Sequence, residues 1–433
     1  MSSSEKLLVV QVAGLGWELV SRHQPPAGEF AFRQAETVFP AGTCTVQASF
    51  RTAAPPRDHG MIANGLFFKH IRRAMFWEQA AALVIGPRIW EAARRAGKTV
   101  GLLFWQQSLG EQADLILTPK PIHKHHGGMI QDCYSQPHDL YERLCGTIGR
   151  PFNLMDYWGP LASVRANEWI VDATCEIMRS PALAPDLLFT YLPGLDYDLQ
   201  RHGPDHRKSF QCLEKSYADF SNLWKNAEAS GYDVLLFGDY NIEQVSGDPI
   251  FPNRRLREVG LFATRTVEDA SYPDFFTSGA FAIVDHQIAH VYCADEPAIR
   301  RAEESLKHFD GIGEILDRRD QHLAGLDLER SGDLVLVAQK GHWFAYPWWT
   351  DRREAPDYAA HVDIHNKPGY DPCELFFGWP PMSVSTNASR VRGTHGRRGP
   401  GTGIAWASSL KFETQPDTML GLALEVKKRI ETI

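Results

Sequence analysis

Cysteine is scarce and poorly placed for pairing: seven occur in 433 residues, never closer than twelve positions, and no CxxC exists. That spacing argues against a zinc ribbon or a disulfide framework and suits a reducing compartment. Long apolar runs are also missing; none approaches the ~20 residues that a bilayer span requires. The apolar stretch Leu7–Leu15 has only Lys6 before it and Gln11 inside it, unlike a secretory leader, so a cytoplasmic chain is expected. Positive charge is not in excess, with 45 basic against 53 acidic residues and a net of −8. A surface of that sign repels phosphate backbones, so the expected partner is a small molecule, not a nucleic-acid polymer or a membrane. There is no internal repeat and no linker rich in Ser, Pro or Gly. The expectation is one domain over residues 1–433, with irregular insertions at 106–180 and 310–390 that shape a substrate pocket.

What the chain does have is alternation. Leu7–Leu15 reads as a buried strand stopped by Gly14 and Gly16. Lys98–Trp105, Asp186–Pro193, Tyr232–Asp239, Gly279–His286, His290–Ala294 and Asp333–Gln339 read likewise. Helical periodicity is expected over His70–Gly97 with a break at Gly86-Pro87, and over Phe210–Ala229, Glu296–Phe309 and Thr418–Thr432. A charged, histidine-bearing loop is expected after the third strand. Strands alternating with helices predict an α/β fold, a mostly parallel central sheet flanked by helices on both faces.

Ligands of open α/β sheets bind at the carboxyl ends of strands. That rule selects Ala13-Gly14, the segment Gly194–Pro204, Asp239-Tyr240 and Asp285-His286. Carboxylates and imidazoles at three of the four suit a zinc- or manganese-type site, although a strand-end Asp is as often a simple loop cap. Thr43 lies just before an expected helix, where unpaired amides favour an oxyanion; its plainer reading is a helix cap. The run His123-Lys124-His125-His126 reads as a solvated loop, and the tryptophan-rich Gly341–Trp349 as core or as a stacking surface.

Five motifs occur in order: Pro40-Ala41-Gly42-Thr43, Pro56-Arg57-Asp58-His59-Gly60 through Asn64, Asp196 to Gly203-Pro204, Gly238-Asp239-Tyr240, and Gly393-Thr394-His395-Gly396. Their order resembles the alkaline phosphatase superfamily, and within it the nucleotide pyrophosphatase/phosphodiesterase branch. The resemblance implies an alkaline-phosphatase-like fold and a hydrolase or phosphoryl-type transferase acting on phosphate esters. Thr43 would be the nucleophile and Asn64 would donate to a phosphoryl oxygen. Asp196 and His395 would ligate one metal, and Asp239 a second. The pattern is broken at three ligand positions, which here hold Ala13, Gln200 and Tyr240. A reduced site is therefore expected, with one zinc or manganese ion or none, and Gln200 and Tyr240 become candidates for contacting substrate. Replacement ligands or acid–base groups are offered by Asp198 with His202, by His286 and His290, and by Asp363 and His365. The motifs around Tyr-Leu-Pro, Asp285–Tyr292 and His365–Pro372 also resemble a divergent subgroup of phosphodiesterase-like bacterial proteins, in which a histidine is expected where Gly194 stands. The alternative is a metal-free member of the fold, either a ligand-binding pseudoenzyme or a biosynthetic enzyme with non-phosphoryl chemistry.

Overall fold

The computed structural model describes residues 5–26, 30–126 and 128–432. Its centre is an eight-stranded sheet built from β1 (Lys6–Val12), β2 (Val100–Leu103), β3 (Leu115–Pro119), β4 (Leu187–Leu192), β5 (Tyr232–Gly238), β10 (Ile404–Ser408) and two edge strands. The order across the sheet is Arg33–Ala35, β10, β5, β1, β4, β2, β3, Cys133–Gln136. The five strands from β5 to β3 run parallel, and β10 and Cys133–Gln136 run against them.

The sequence of β1 shows why the sheet is covered twice. Leu8, Val10 and Val12 pack into one buried cluster with the helices α2 (Arg165–Arg179) and α4 (Arg207–Ala229). Leu7 and Val9 pack into another with α1 (Thr43–Thr52) and α5 (Met419–Glu431). Side chains alternate across a strand, so a strand with apolar residues at both sets of alternate positions must be buried on both faces. Burying each such Val or Leu stabilises the fold by ~1.5–3 kcal/mol.

Register then sets the site. Val12 pairs with Leu192 on one side and Gly238 on the other, so β1, β4 and β5 end level. Past those ends lie Ala13, the helix α3 (Gly194–His202) and Asp239. A second sheet, wholly antiparallel, has the order β6 (Ala280–Asp285), β7 (Ile288–Cys293), β9 (Leu334–Ala338), β8 (Ile312–Leu316).

Two segments differ from expectation. His70–Gly97 is not one helix: Arg73–Phe76 pairs with Gly65–Phe68 in a hairpin, a 3-10 turn covers Ala81–Leu83, and only Glu91–Arg95 is α-helical. Phe76 is buried in the second sheet's core, and that packing overrides the helical spacing of apolar residues. The expected loop after β4 is instead α3, which begins directly behind Pro193. Among the described residues no helix is long and apolar enough to cross a membrane.

Candidate active site

Thr43 is the first residue of the ten-residue helix α1. Its hydroxyl donates to Asp239 Oδ2 at 3.2 Å and lies 3.4 Å from the phenols of both Tyr191 and Tyr240. Asp239 is held by four donors. Oδ1 accepts from the backbone N–H groups of Gly14 and Tyr240, both at 2.9 Å, and Oδ2 accepts from Gln11 Nε2 at 3.3 Å as well as from Thr43. Gly14 reaches Asp239 with φ +71°, a conformation that glycine adopts without a Cβ penalty. Burial pushes the Asp239 carboxyl up to about 8 despite these hydrogen bonds.

On α3, Asp196 accepts from Tyr240 Oη at 3.0 Å and from Gln200 Nε2 at 2.5 Å. Gln200 in turn accepts from Tyr370 Oη at 3.0 Å. Burial raises Asp196 to about 6 and holds Tyr191 and Tyr240 well above the usual phenol range, so both phenols keep their protons. Burial also lifts Cys44, next to Thr43, to about 12, which removes its thiolate as a rival nucleophile.

The second sheet supplies the opposite wall. Asp285 closes β6 and accepts from the Asn64 backbone at 2.7 Å, from Asn64 Nδ2 at 3.2 Å and from His286 Nδ1 at 2.7 Å. Asn64 Oδ1 accepts from the Cys44 N–H at 3.0 Å. The Asn64 amide thus couples the start of α1 to the β6–β7 hairpin, with its NH2 group engaged by Asp285. His286 occupies the hairpin turn at φ +57°, a strain on the order of 1 kcal/mol for a residue with a Cβ. Its ring stacks on Tyr370 (3.8 Å) and lies tilted by 36° against His395 (3.7 Å), and His395 stacks on Tyr240 (3.4 Å, 4° between planes). His395 Nδ1 donates to the Ala41 carbonyl at 2.7 Å. Burial keeps that imidazole well below its usual range, and hence neutral. The Nε2 atoms of His286 and His395 are buried with no hydrogen-bond partner. Both residues line a cavity with Pro40, Ala41, Gly42, Ile62 and Asp285.

The residues expected from the sequence therefore separate. Thr43, Asn64, Asp196, Gln200, Asp239, Tyr240, His286 and His395 are brought together. His202 is not: it sits on the far side of α3, 3.9 Å from Asp198 and stacked on His206. A helix turns ~100° per residue, so the two-residue shift from Asp196 to Asp198 points the side chain away. His290 is turned the other way, accepting from the Gly332 N–H at 3.3 Å. His365 is exposed, bonded to the Phe76 carbonyl at 3.0 Å, and Asp363 caps Asn366. At Gly194 a Cβ would come within 2.6 Å of the Val164 backbone, so this position has no room for the expected histidine. His123, His125 and His126 are exposed. Trp343, Trp348 and Trp349 are buried, which makes that run core. Sequence reasoning missed Gln11, Tyr191 and the partner role of Tyr370. A glutamine inside an otherwise apolar strand was the one visible signal.

A two-ion centre does not fit this donor set. Ala13 offers a methyl, and Gln200 and Tyr240 spend their polar hydrogens on Asp196. Asp239 already accepts four hydrogen bonds. Among the described residues no three His, Cys, Asp or Glu side chains are grouped to hold an ion, and Asp196, Asp239 and His395 are no exception.

The site lies at the level ends of parallel strands in an alkaline-phosphatase-like α/β fold. The sequence profile of the type I phosphodiesterase / nucleotide pyrophosphatase family matches residues 7–371, and the chain belongs to that family. His395 lies beyond the matched range. The fold is similar to phosphonoacetate hydrolase from Sinorhizobium meliloti 1021 in complex with phosphonoformate (TM-score 0.65, 15% identity, 98% of this chain and 95% of that one). It is also similar to an inactive threonine-to-alanine variant of murine ectonucleotide pyrophosphatase / phosphodiesterase 5 in complex with AMP (0.61, 12%, 100% and 96%). The human form of the latter protein is similar too (0.60, 14%, 98% and 95%). No curated protein matches by sequence.

Proposed function

We propose that the chain hydrolyses, or transfers to an acceptor, a phosphoryl-type group of a small phosphate ester, diester or phosphonate-like substrate, with Thr43 as nucleophile. The observation that carries this reading is the Thr43 hydroxyl at the start of α1, within hydrogen-bond reach of a buried carboxylate and two phenols. The family membership supports it, as does the murine neighbour, which is inactive when a threonine becomes alanine and binds AMP.

In the first step Thr43 Oγ1 attacks phosphorus, the bond from phosphorus to the leaving atom (oxygen in an ester, carbon in a phosphonate) breaks, and the threonine proton passes to Asp239 Oδ2. The leaving group departs with a proton from solvent. In the second step water or an acceptor hydroxyl attacks phosphorus, the bond from phosphorus to Thr43 Oγ1 breaks, Thr43 takes back the proton held by Asp239, and the attacking oxygen loses its proton to solvent. The partial positive charge at the start of α1 favours the charge that develops on the transferred group. The free Nε2 of His395 is an acceptor for a hydroxyl or a protonated oxygen of the substrate.

Thr43→Ala should lower turnover of a phosphodiester or phosphonate roughly a thousandfold or more, and abolish a phosphothreonine adduct in rapidly quenched intact-mass spectra. Turnover within a fewfold of wild type would overturn the reading.

A further inference from the structure

We infer that the positions from which a two-ion centre would act are closed by the protein's own hydrogen bonds, and that the chemistry at Thr43 runs without a metal ion. The inference builds on the reading of Thr43 as the reacting hydroxyl.

Three observations carry it. The first is occupancy: each oxygen of Asp239 accepts two donors, and each oxygen of Asp196 accepts one, from Tyr240 and from Gln200. A divalent ion that displaced these neutral donors would leave Gln11, Gln200 and the Tyr240 phenol without their carboxyl partners in a dry interior. An unsatisfied buried polar group costs ~1–3 kcal/mol. The second is isolation. His395 stacks on Tyr240 at 3.4 Å and lies 3.7 Å from the tilted His286 ring, and among the described residues no group of three His, Cys, Asp or Glu side chains gathers around its free Nε2 to complete an ion site. Its Nδ1 is spent on the Ala41 carbonyl. The third is substitution in kind. Tyr240 Oη lies 3.0 Å from Asp196 and 3.4 Å from Thr43, bridging two groups that metal ligation would otherwise hold in place. Tyr240 is thus a positioning residue that does mechanically what coordination bonds would do.

Calorimetric titration of chelator-dialysed wild-type protein with zinc chloride, and separately with manganese chloride, tests this without any substrate. No saturable uptake, and an unfolding midpoint unmoved by either ion or by chelator, is the expected result. One or two equivalents bound per chain, with a matching rise in midpoint, would overturn it. The triple variant A13D/Q200H/Y240H returns ligand-type side chains to the three altered positions. A zinc-dependent rise in its midpoint, absent from wild type, supports the inference; the same rise in wild type refutes it. The failures are distinguishable. A chain that ignores zinc yet never needs Thr43 sinks the proposed function and leaves standing that the ion positions are closed. One that requires zinc and also Thr43 sinks only this inference.

Discussion

Tyr240 is one of three side chains, with Ala13 and Gln200, that depart from the pattern the family resemblance implies. Its hydroxyl lies within hydrogen-bond reach of both Thr43 and Asp196, and its ring supports His395. Tyr240→Phe keeps the ring and removes only the hydroxyl. It should lower kcat about tenfold, the rate equivalent of ~1.4 kcal/mol, with KM changed far less. Steady-state kinetics on both parameters checks this, and a loss confined to KM would assign Tyr240 to substrate binding instead. At this scale the sequence was informative where chemistry repeats locally. Thr43, Asp239 and His395 could each be named from a few neighbours. Asn64 and Asp285, 221 residues apart, could not be paired that way, because the spacing of residues along a chain carries no distance through space.

Among the elements, the short turn Pro56–His59 is tied to α1 by one imidazole. His59 Nδ1 accepts from the Met61 N–H at 3.1 Å, and its Nε2 lies 2.7 Å from Ser49 Oγ. Burial, reinforced by the Arg51 and Arg330 charges, pulls His59 from 6.5 down to about 3. The unfolded chain binds this proton below pH 6.5 and the folded chain does not, so the stability it contributes is full above that pH and is lost as pH falls. Relative to His59→Gln, the wild type should lose ~1.4 kcal/mol per pH unit between pH 6.5 and 4. Urea unfolding of both proteins across that window measures the slope, and parallel curves would show that His59 is protonated in the fold. The elements themselves were legible in proportion to how uniformly they were buried. β1 and β5 declared themselves by apolar runs ending in Gly or Asp. The residues around Phe76 carried helical spacing because a hairpin packed under a second sheet also buries side chains at irregular intervals. The Asp285-His286 pair was placed at a strand end by a rule for parallel sheets, yet it reaches the site from the turn of an antiparallel hairpin.

Across the whole molecule, the two sheets are joined through irregular chain that periodicity could not read. Lys367 is the clearest fastening there. It is 1% exposed, with its ammonium 2.7 Å from both Asp371 and Glu374, and Trp158 Nε1 donates to Glu374 at 2.5 Å. The two carboxylates hold the Lys367 ammonium above the ordinary lysine range despite burial. Lys367→Met should cost ~3–5 kcal/mol, because it strands two buried carboxylates. The urea midpoint reports that loss, and a stability near wild type would mean that the pair rehydrates. Tyr370, three residues on, belongs to the ring column, so the same variant tests how far the fastening supports the site.

The ring column has one more consequence. Tyr240, His286, Tyr370 and His395 come from four distant stretches, and each is under a tenth exposed. Thr43 behind them is itself 2% exposed. If Thr43 reacts as proposed, these rings have to give way to substrate in every cycle, and the frequency of that parting would cap turnover however fast the bond-breaking itself becomes.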